Sequence, residues 1–122
     1  MIDRRKHPRI NTINLISYAA IDGTGRWIFQ GTCRALNISR GGILLETACP
    51  IESGGLSMMT VDMDDNLIEI KGELIYCCKS DTARYHSGVK FIGTDEQIIK
   101  FVTEIIEVYN LREKQSAYLS VT

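Results

Sequence analysis

Four cations crowd the start of this sequence, and their chemistry suits an anionic ligand. Arg4, Arg5, Lys6 and Arg9 stand among the first nine residues, and only Asp3 offsets them. An arginine presents a planar fork of donors that pairs with phosphate oxygens or with the O6 and N7 atoms of guanine, and its plane stacks on bases. The cluster could therefore form a site for phosphate and guanine groups. From these residues alone, a solvated terminus that favours solubility is the favoured interpretation.

A second polar segment, Asn-Ile-Ser-Arg-Gly-Gly at 37–42, interrupts two apolar stretches. Asparagine and serine side chains bond to nearby backbone in tight turns. In a binding site, Asn37 and Ser39 could instead offer an acceptor and a donor to the edge of a ligand. Gly41 and Gly42 permit positive φ and the close approach of another molecule. A plain β-turn between two strands is the alternative, and these residues alone favour the turn.

The spacing of apolar residues predicts the elements that position these segments. Short or alternating apolar runs bounded by turn residues indicate six strands, over residues 13–21, 26–38, 43–47, 56–63, 67–78 and 87–92. On the fifth strand we expect one shared face for Ile68, Ile70, Leu74, Tyr76 and Cys78. Six short strands with regularly spaced turns predict a mainly β fold, a small six-stranded antiparallel β-barrel.

A C-terminal α-helix is predicted to follow the last strand. Thr94 and Gln97 have the spacing of a capping box. A helical stripe is formed by Ile98, Val102, Ile105 and Tyr109. The helix is expected to end near residue 114, and its stripe could bury against an opening of its own barrel or against a second subunit.

The predicted organisation is a single domain with an arm at one end and a tail at the other. Pro8 disfavours a helix at the N-terminus, so residues 1–12 are expected to form an extended basic arm. The remaining boundaries are a barrel at 13–93, the helix at 94–115 and a loose tail at 116–122. A length of 122 residues is ordinary for one such domain.

Composition restricts the possible partners. The net charge is −1, so any basic site must be local. No run is long enough to span a bilayer, and no apolar segment follows the N-terminal charges as in a signal peptide. The cysteines, which lack C-x-x-C spacing, are expected to be free thiols in a reducing cytosol; they are Cys33, Cys49, Cys77 and Cys78. The sequence therefore predicts a cytoplasmic protein without membrane insertion.

No segment predicts catalysis or a metal site. Asp62, Asp64 and Asn66 have the first three ligand spacings of an EF-hand, but Leu67 occupies the glycine position, so a hairpin turn is favoured. His7 and His86 lack metal-ligand spacing, and His86 is expected at a strand edge. Ser39 is not in a nucleophile motif. We therefore predict that the protein is not an enzyme and needs no cofactor.

The two polar segments together resemble the motifs of the PilZ family. The matching residues are Arg5-x-x-x-Arg9 and Asn37-x-Ser39-x-x-Gly42, and Ser-Gly-Val-Lys-Phe at 87–91 is similar to the last strand of that family. The resemblance covers residues 4–114. It implies a six-stranded barrel and a bacterial receptor for cyclic di-GMP, which would bind on the outer surface of the barrel beneath the N-terminal arm.

The resemblance also implies a role for each motif residue. Arg5 and Arg9 would contact phosphates and guanines, Asn37 and Ser39 would hold the other guanine edge, and Gly42 would let the backbone approach. Arg4 precedes the motif, where a basic residue in the family often accompanies a stacked pair of ligands. A flexible arm that becomes ordered on binding would expose a new surface to a downstream protein.

Three alternatives to a receptor remain from the sequence. A PilZ-like module could bind protein and not nucleotide, with a homodimer among the possibilities. A small barrel could bind RNA or single-stranded DNA, but such proteins use a basic groove with exposed aromatic residues, whereas the strands here carry Glu69, Glu73 and Asp62. A hydrolase is not supported, because no acid/base or metal-binding constellation appears in the sequence. We therefore expect no nucleic-acid polymer among the partners.

Overall fold

The computed structural model describes residues 10–62 and 64–121, and in them the chain forms six strands and one helix. The elements are β1 (Ile10–Ile21), β2 (Trp27–Ile38), β3 (Gly42–Thr47), β4 (Gly55–Val61), β5 (Leu67–Lys79), β6 (Tyr85–Ile92) and α1 (Asp95–Val121). All strands pair antiparallel in a closed barrel of order β1-β2-β3-β6-β5-β4. The predicted fold, a six-stranded antiparallel barrel with a C-terminal helix, is confirmed.

The antiparallel order assigns each turn to one end of the barrel. The lower end holds the start of β1, the β2–β3 turn at 39–41, the β4–β5 turn at 62–66 and the end of β6. The upper end holds the turns at 22–26 and 80–84 and the loop at 48–54. Since α1 follows β6, the helix begins at the lower end, which also carries the polar segment at 37–42.

The first half of α1 buries its apolar stripe against its own barrel. Phe101, Val102 and Ile105 are buried, and the Phe101 ring meets the Phe91 ring edge-on at a centroid distance of 5.8 Å. The helix contacts β1, β4 and β5. Of the two positions left open by the sequence, the structure therefore has the helix packing within the chain. The side chain of Tyr109, the last member of the predicted stripe, lies outside the described residues.

The N-terminus of α1 is capped as its sequence predicts. The backbone N–H of Gln97 donates to Thr94 Oγ1 at 3.2 Å, and the backbone N–H of Thr94 donates to Gln97 Oε1 at 2.9 Å. This reciprocal pair satisfies two donors that have no partner within a helix. It fixes the point at which the chain leaves β6 and turns across the lower end.

Two predicted boundaries differ from the structure by three residues or more. The helix continues to Val121, where the sequence predicts a tail from residue 116, because no glycine or proline interrupts the chain between 95 and 121. Strand β1 begins at Ile10 and not at 13, so the end of the predicted arm at 1–12 is strand. The reason is a partner strand, because Ile10 pairs with Ile38.

The alternation predicted for β5 is correct for its first half and wrong for its second. Ile68 and Ile70 are buried as predicted. Between Leu74 and Tyr76 the register against β6 shifts, and Ile75 is the extra residue. A bulge of this kind reverses the faces of the residues that follow it, so Tyr76 and Cys78 are exposed and do not share the inner face.

We predict that Phe101→Ala lowers the free energy of unfolding by about 3–5 kcal/mol, because it empties a fully buried ring site between the helix and the barrel. Ile99→Ala, on the exposed side of the same helix turn, is the matched control and should change stability by no more than about 0.5 kcal/mol. Urea denaturation followed by circular dichroism measures both. Equal losses for the two variants would contradict this packing.

Candidate functional site

The β2–β3 turn at the lower end is held by Ser39. Its backbone N–H donates to the carbonyl of Gly42 at 2.9 Å, and its Oγ accepts from the backbone N–H of Gly41 at 3.2 Å. The residue is 8% exposed. The hydroxyl therefore stabilises the turn, and its own proton is left for another acceptor. The β-turn inferred from the sequence is present, and a ligand-binding role remains compatible with it.

A bulge in β2 sets the direction of Asn37. Ala35 pairs with Leu45 and Asn37 with Leu44, so Leu36 is an extra residue on β2. In a regular strand without the bulge, Asn37, two residues after Ala35, would lie on the same face as Ala35, which is fully buried. With it, Ile38 becomes the core residue at 0% exposure and Asn37 is only partly buried. Re-aiming one side chain in this way is a common role of bulges beside binding sites.

The structure brings the start of β1 to this turn. Ile10 pairs with Ile38, and Asn11 pairs with Asn37. Arg9 is bonded directly to Ile10, so the predicted arm joins the barrel beside Asn37 and Ser39. Arg4, Arg5 and Arg9 themselves lie outside the described residues, and their contacts stay a prediction.

Gly42 has a structural role where the sequence predicts a ligand approach. A Cβ at this position would collide with the carbonyl oxygen of Val89, on the backbone of β6. Backbone cannot move aside as a flexible side chain can, so the close approach of β3 and β6 requires glycine here. Its contact with a ligand stays a prediction.

The outer face of β2, β3, β6 and β5 presents two parallel rows of side chains above the turn. Strand pairing defines both rows. The middle row, level with the Asn37 position, consists of Asn37, Leu44, Gly88 and Tyr76. The upper row, one step toward the upper end, consists of Arg34, Glu46, His86 and Cys78.

Tyr76 covers the centre of the middle row. Its ring lies over Gly88, where a Cβ would collide with the ring atoms. The side chain is half exposed. Sequence reasoning missed this residue as a surface group because the bulge at Ile75 reversed its face. Gly88 in Ser-Gly-Val-Lys-Phe is a sequence signal for this contact, but it can be connected with Tyr76 only when the pairing of β6 with β5 is known.

The upper row contains a charged cluster that spans three strands. His86 Nε2 lies 2.9 Å from Glu46 Oε2, and Arg34 Nη1 lies 3.4 Å from Glu46 Oε1. The hydrogen bond with His86 is the main cause that lowers the pKa of Glu46, with the charge of Arg34 adding to it while desolvation opposes both. His86, expected at a strand edge, in fact lies within β6 between two paired strands.

The acidic segment at 62–66 forms a turn. Asp62 Oδ1 accepts from the backbone N–H groups of Asp64 and Asn66, both at 2.9 Å. These bonds lower the pKa of Asp62, the backbone bond of Asn66 most of all. The hairpin interpretation is therefore confirmed. Within 10–62 and 64–121, no group of three or more His, Cys, Asp or Glu residues is arranged to hold a metal ion.

The fold and the features of its lower end define the class of protein to which the chain belongs. The chain is a small closed barrel whose lower end combines a bulged polar turn, an adjoining basic segment and a covering helix. The PilZ domain model matches residues 3–107, which is most of the chain, and the chain belongs to the PilZ family. A search of curated protein sequences finds no significant match.

Solved structures support the same fold. The PilZ domain of YcgR from Escherichia coli, with c-di-GMP, has a TM-score of 0.62 at 14% identity, covering 94% of this chain and 98% of that one. The K. pneumonia MrkH–c-di-GMP complex has a TM-score of 0.59 at 17% identity, covering 86% and 52%. The Bacillus subtilis inhibitor of motility (MotI/DgrA) has a TM-score of 0.57 at 16% identity, covering 93% and 53%. The chain thus spans about half the length of the latter two.

We predict that Gly42→Ala lowers the free energy of unfolding by about 1–3 kcal/mol, because the new Cβ forces β3 away from β6. Gly54→Ala is the matched control, since no atom lies within 4 Å of the position its Cβ would take. Thermal and urea unfolding of the two variants measure the difference. A Gly42→Ala variant as stable as the control would show that the close approach is not a constraint.

Proposed function

We propose that this protein is a cytoplasmic receptor for cyclic di-GMP that acts as an adaptor toward a downstream protein. One observation carries the proposal: the bulge at Leu36 exposes Asn37 beside Ser39, at the point where β1 continues from Arg5-x-x-x-Arg9. The family supports it, as do the similar barrels of YcgR and MrkH in complex with c-di-GMP. Among the described residues, no helix is long and apolar enough to cross a membrane.

The chemistry of the ligand matches these residues. Cyclic di-GMP carries two phosphates and two guanines. Arg5 and Arg9 would pair with the phosphates and with O6 and N7 of a guanine, while Asn37 and the free proton of the Ser39 hydroxyl would meet the edge of the other guanine. Arg4 would add charge for a second, stacked ligand molecule. Every role is one of binding, so the proposal includes no catalytic step and no cofactor.

The response to the ligand would come from the arm. Ordering a basic segment over the lower end costs conformational entropy, which ligand contacts must offset. The same ordering creates a surface beside α1 that is absent without ligand. A downstream protein that binds this surface would therefore respond to ligand concentration.

The alternative is a PilZ-like module that binds protein and not nucleotide. One observation favours it: the consecutive residues Trp27, Ile28 and Phe29 are each about half exposed at the upper end of the barrel. Contiguous apolar surface of this kind is typical of protein interfaces, including those of homodimers. This surface lies at the opposite end from Asn37, so the two functions are separable by experiment.

We predict that the purified chain binds cyclic di-GMP with a stoichiometry near one or two, and that GTP and cyclic di-AMP bind far more weakly. Isothermal titration calorimetry measures all three. GTP tests whether a single guanine with phosphates suffices, and cyclic di-AMP tests the guanine edges. A folded protein that gives no binding with cyclic di-GMP would favour the protein-binding module.

Arg5→Ala and Arg9→Ala should each abolish measurable binding while leaving the unfolding temperature unchanged, because the sequence predicts both residues in the arm and not in the barrel. Arg26→Ala, an exposed arginine in the upper turn at 22–26, is the charge-matched control and should bind as the wild type does. Calorimetry combined with thermal unfolding distinguishes loss of a contact from loss of the fold. Wild-type affinity in either arm variant would contradict the proposed clamp.

A further inference from the structure

We propose that Arg34 is a further ligand-contacting residue, and that Glu46 positions it. This inference deepens the proposed function and rests on it. It extends the binding surface from the middle row to the upper row of the outer face, along β2, β3 and β6. No motif in the sequence points to Arg34.

The two rows lie close enough to form one surface. Leu44 and Glu46 are two residues apart on β3, and Gly88 and His86 are two apart on β6. Two strand residues span about 7 Å. A ligand with two guanines that contacts Asn37 with one base therefore needs about this much additional surface for the rest of the molecule. The upper row is the surface that adjoins the middle row on the side away from the turn.

Among the residues that the structure describes, Arg34 uses little of its hydrogen-bonding capacity. Its contact with Glu46 is a single one at 3.4 Å, and 45% of its side chain is exposed. A guanidinium carries five N–H donors in a rigid fork, so one long contact leaves the outward part of the fork open. That part can pair with a phosphate or with O6 and N7 of guanine in the way proposed for Arg5 and Arg9.

Glu46 is built to hold this arginine in place. The residue as a whole is 9% exposed and its side chain 11% exposed, and a carboxylate in such a position must keep its partners because solvent replaces them poorly. One oxygen is bound to His86 at 2.9 Å, which leaves the other directed at Arg34. The Arg34 side chain is therefore held by Glu46 and loses less conformational freedom when a ligand binds than an unrestrained arginine would.

Removal of Arg34 should not unfold the barrel. Glu46 retains His86 as a hydrogen-bond partner, and nearly half of the Arg34 side chain is exposed to solvent. A change in ligand affinity in an Arg34 variant can therefore be attributed to the ligand contact once thermal unfolding shows an intact fold.

The test is calorimetric titration of the full chain with cyclic di-GMP. We expect Arg34→Ala to weaken binding by roughly 10- to 100-fold, the effect of losing one charge-assisted hydrogen bond. Arg34→Lys, which keeps the charge but not the fork, should fall between this variant and the wild type. Arg26→Ala at the upper end should match the wild type. Wild-type affinity in Arg34→Ala would overturn the inference.

A double-mutant cycle tests the positioning role of Glu46. Glu46→Gln should weaken binding in the wild-type background and have no further effect in the Arg34→Ala background, because Glu46 acts only through Arg34. Equal effects in both backgrounds would mean that Glu46 supports the structure in general and does not position Arg34. If Arg34→Ala fails to fold, Arg34→Lys decides, since wild-type affinity in that variant would overturn the fork contact.

The two proposals fail in different ways. A wild-type chain that binds no cyclic di-GMP overturns the receptor function and the role of Arg34 together. A wild-type chain that binds, with Arg5→Ala inactive and Arg34→Ala unaffected, overturns only the extension to the upper row.

Discussion

The register of β2 against β3 shifts by one residue at Leu36, and the surface of the lower end depends on that shift. Because side chains alternate between the two faces of a strand, one extra residue moves every following side chain to the opposite face. Ile38 then fills the core, and Asn37 is turned away from it beside the Ser39 turn. In a barrel with a regular β2, the Asn37 amide would be buried without partners or Ile38 would be exposed. The bulge therefore lets Ile38 pack in the core while Asn37 lies at the candidate site.

The lower end also concentrates the parts of the chain that would respond to a ligand. Strand β1 starts there, the polar turn lies beside it, and α1 begins there with a capped N-terminus. Phe101 and Ile105 fix the first half of the helix on the barrel. The proposed arm would therefore close over a rigid base, in which turn, strand and helix are already in place before any ligand arrives.

The parts of the fold and site that were predictable are those that depend on residues close together in the sequence. Turn residues and apolar alternation predict six strands with ends correct to within three residues, and the capping box at Thr94 and Gln97 needs only residues close in sequence. The bulges at Leu36 and Ile75 were not predictable, because register belongs to a pair of strands. The two contacts of the cluster, Arg34 with Glu46 and Glu46 with His86, join residues 12 and 40 positions apart, so no spacing rule would find it. The roles of Arg5 and Arg9 come from the family resemblance and stay predictions.

The position of the single tryptophan has an optical consequence. Trp27 starts β2 at the upper end, and Asn37 stands near its other end, roughly 30 Å further along the strand. Its indole is too far away to be quenched by contact with a guanine at the lower end. Tryptophan emission would thus be insensitive to simple occupancy of the site. A change in emission on adding a nucleotide would instead indicate a conformational change that extends from the lower end of the barrel to its upper end.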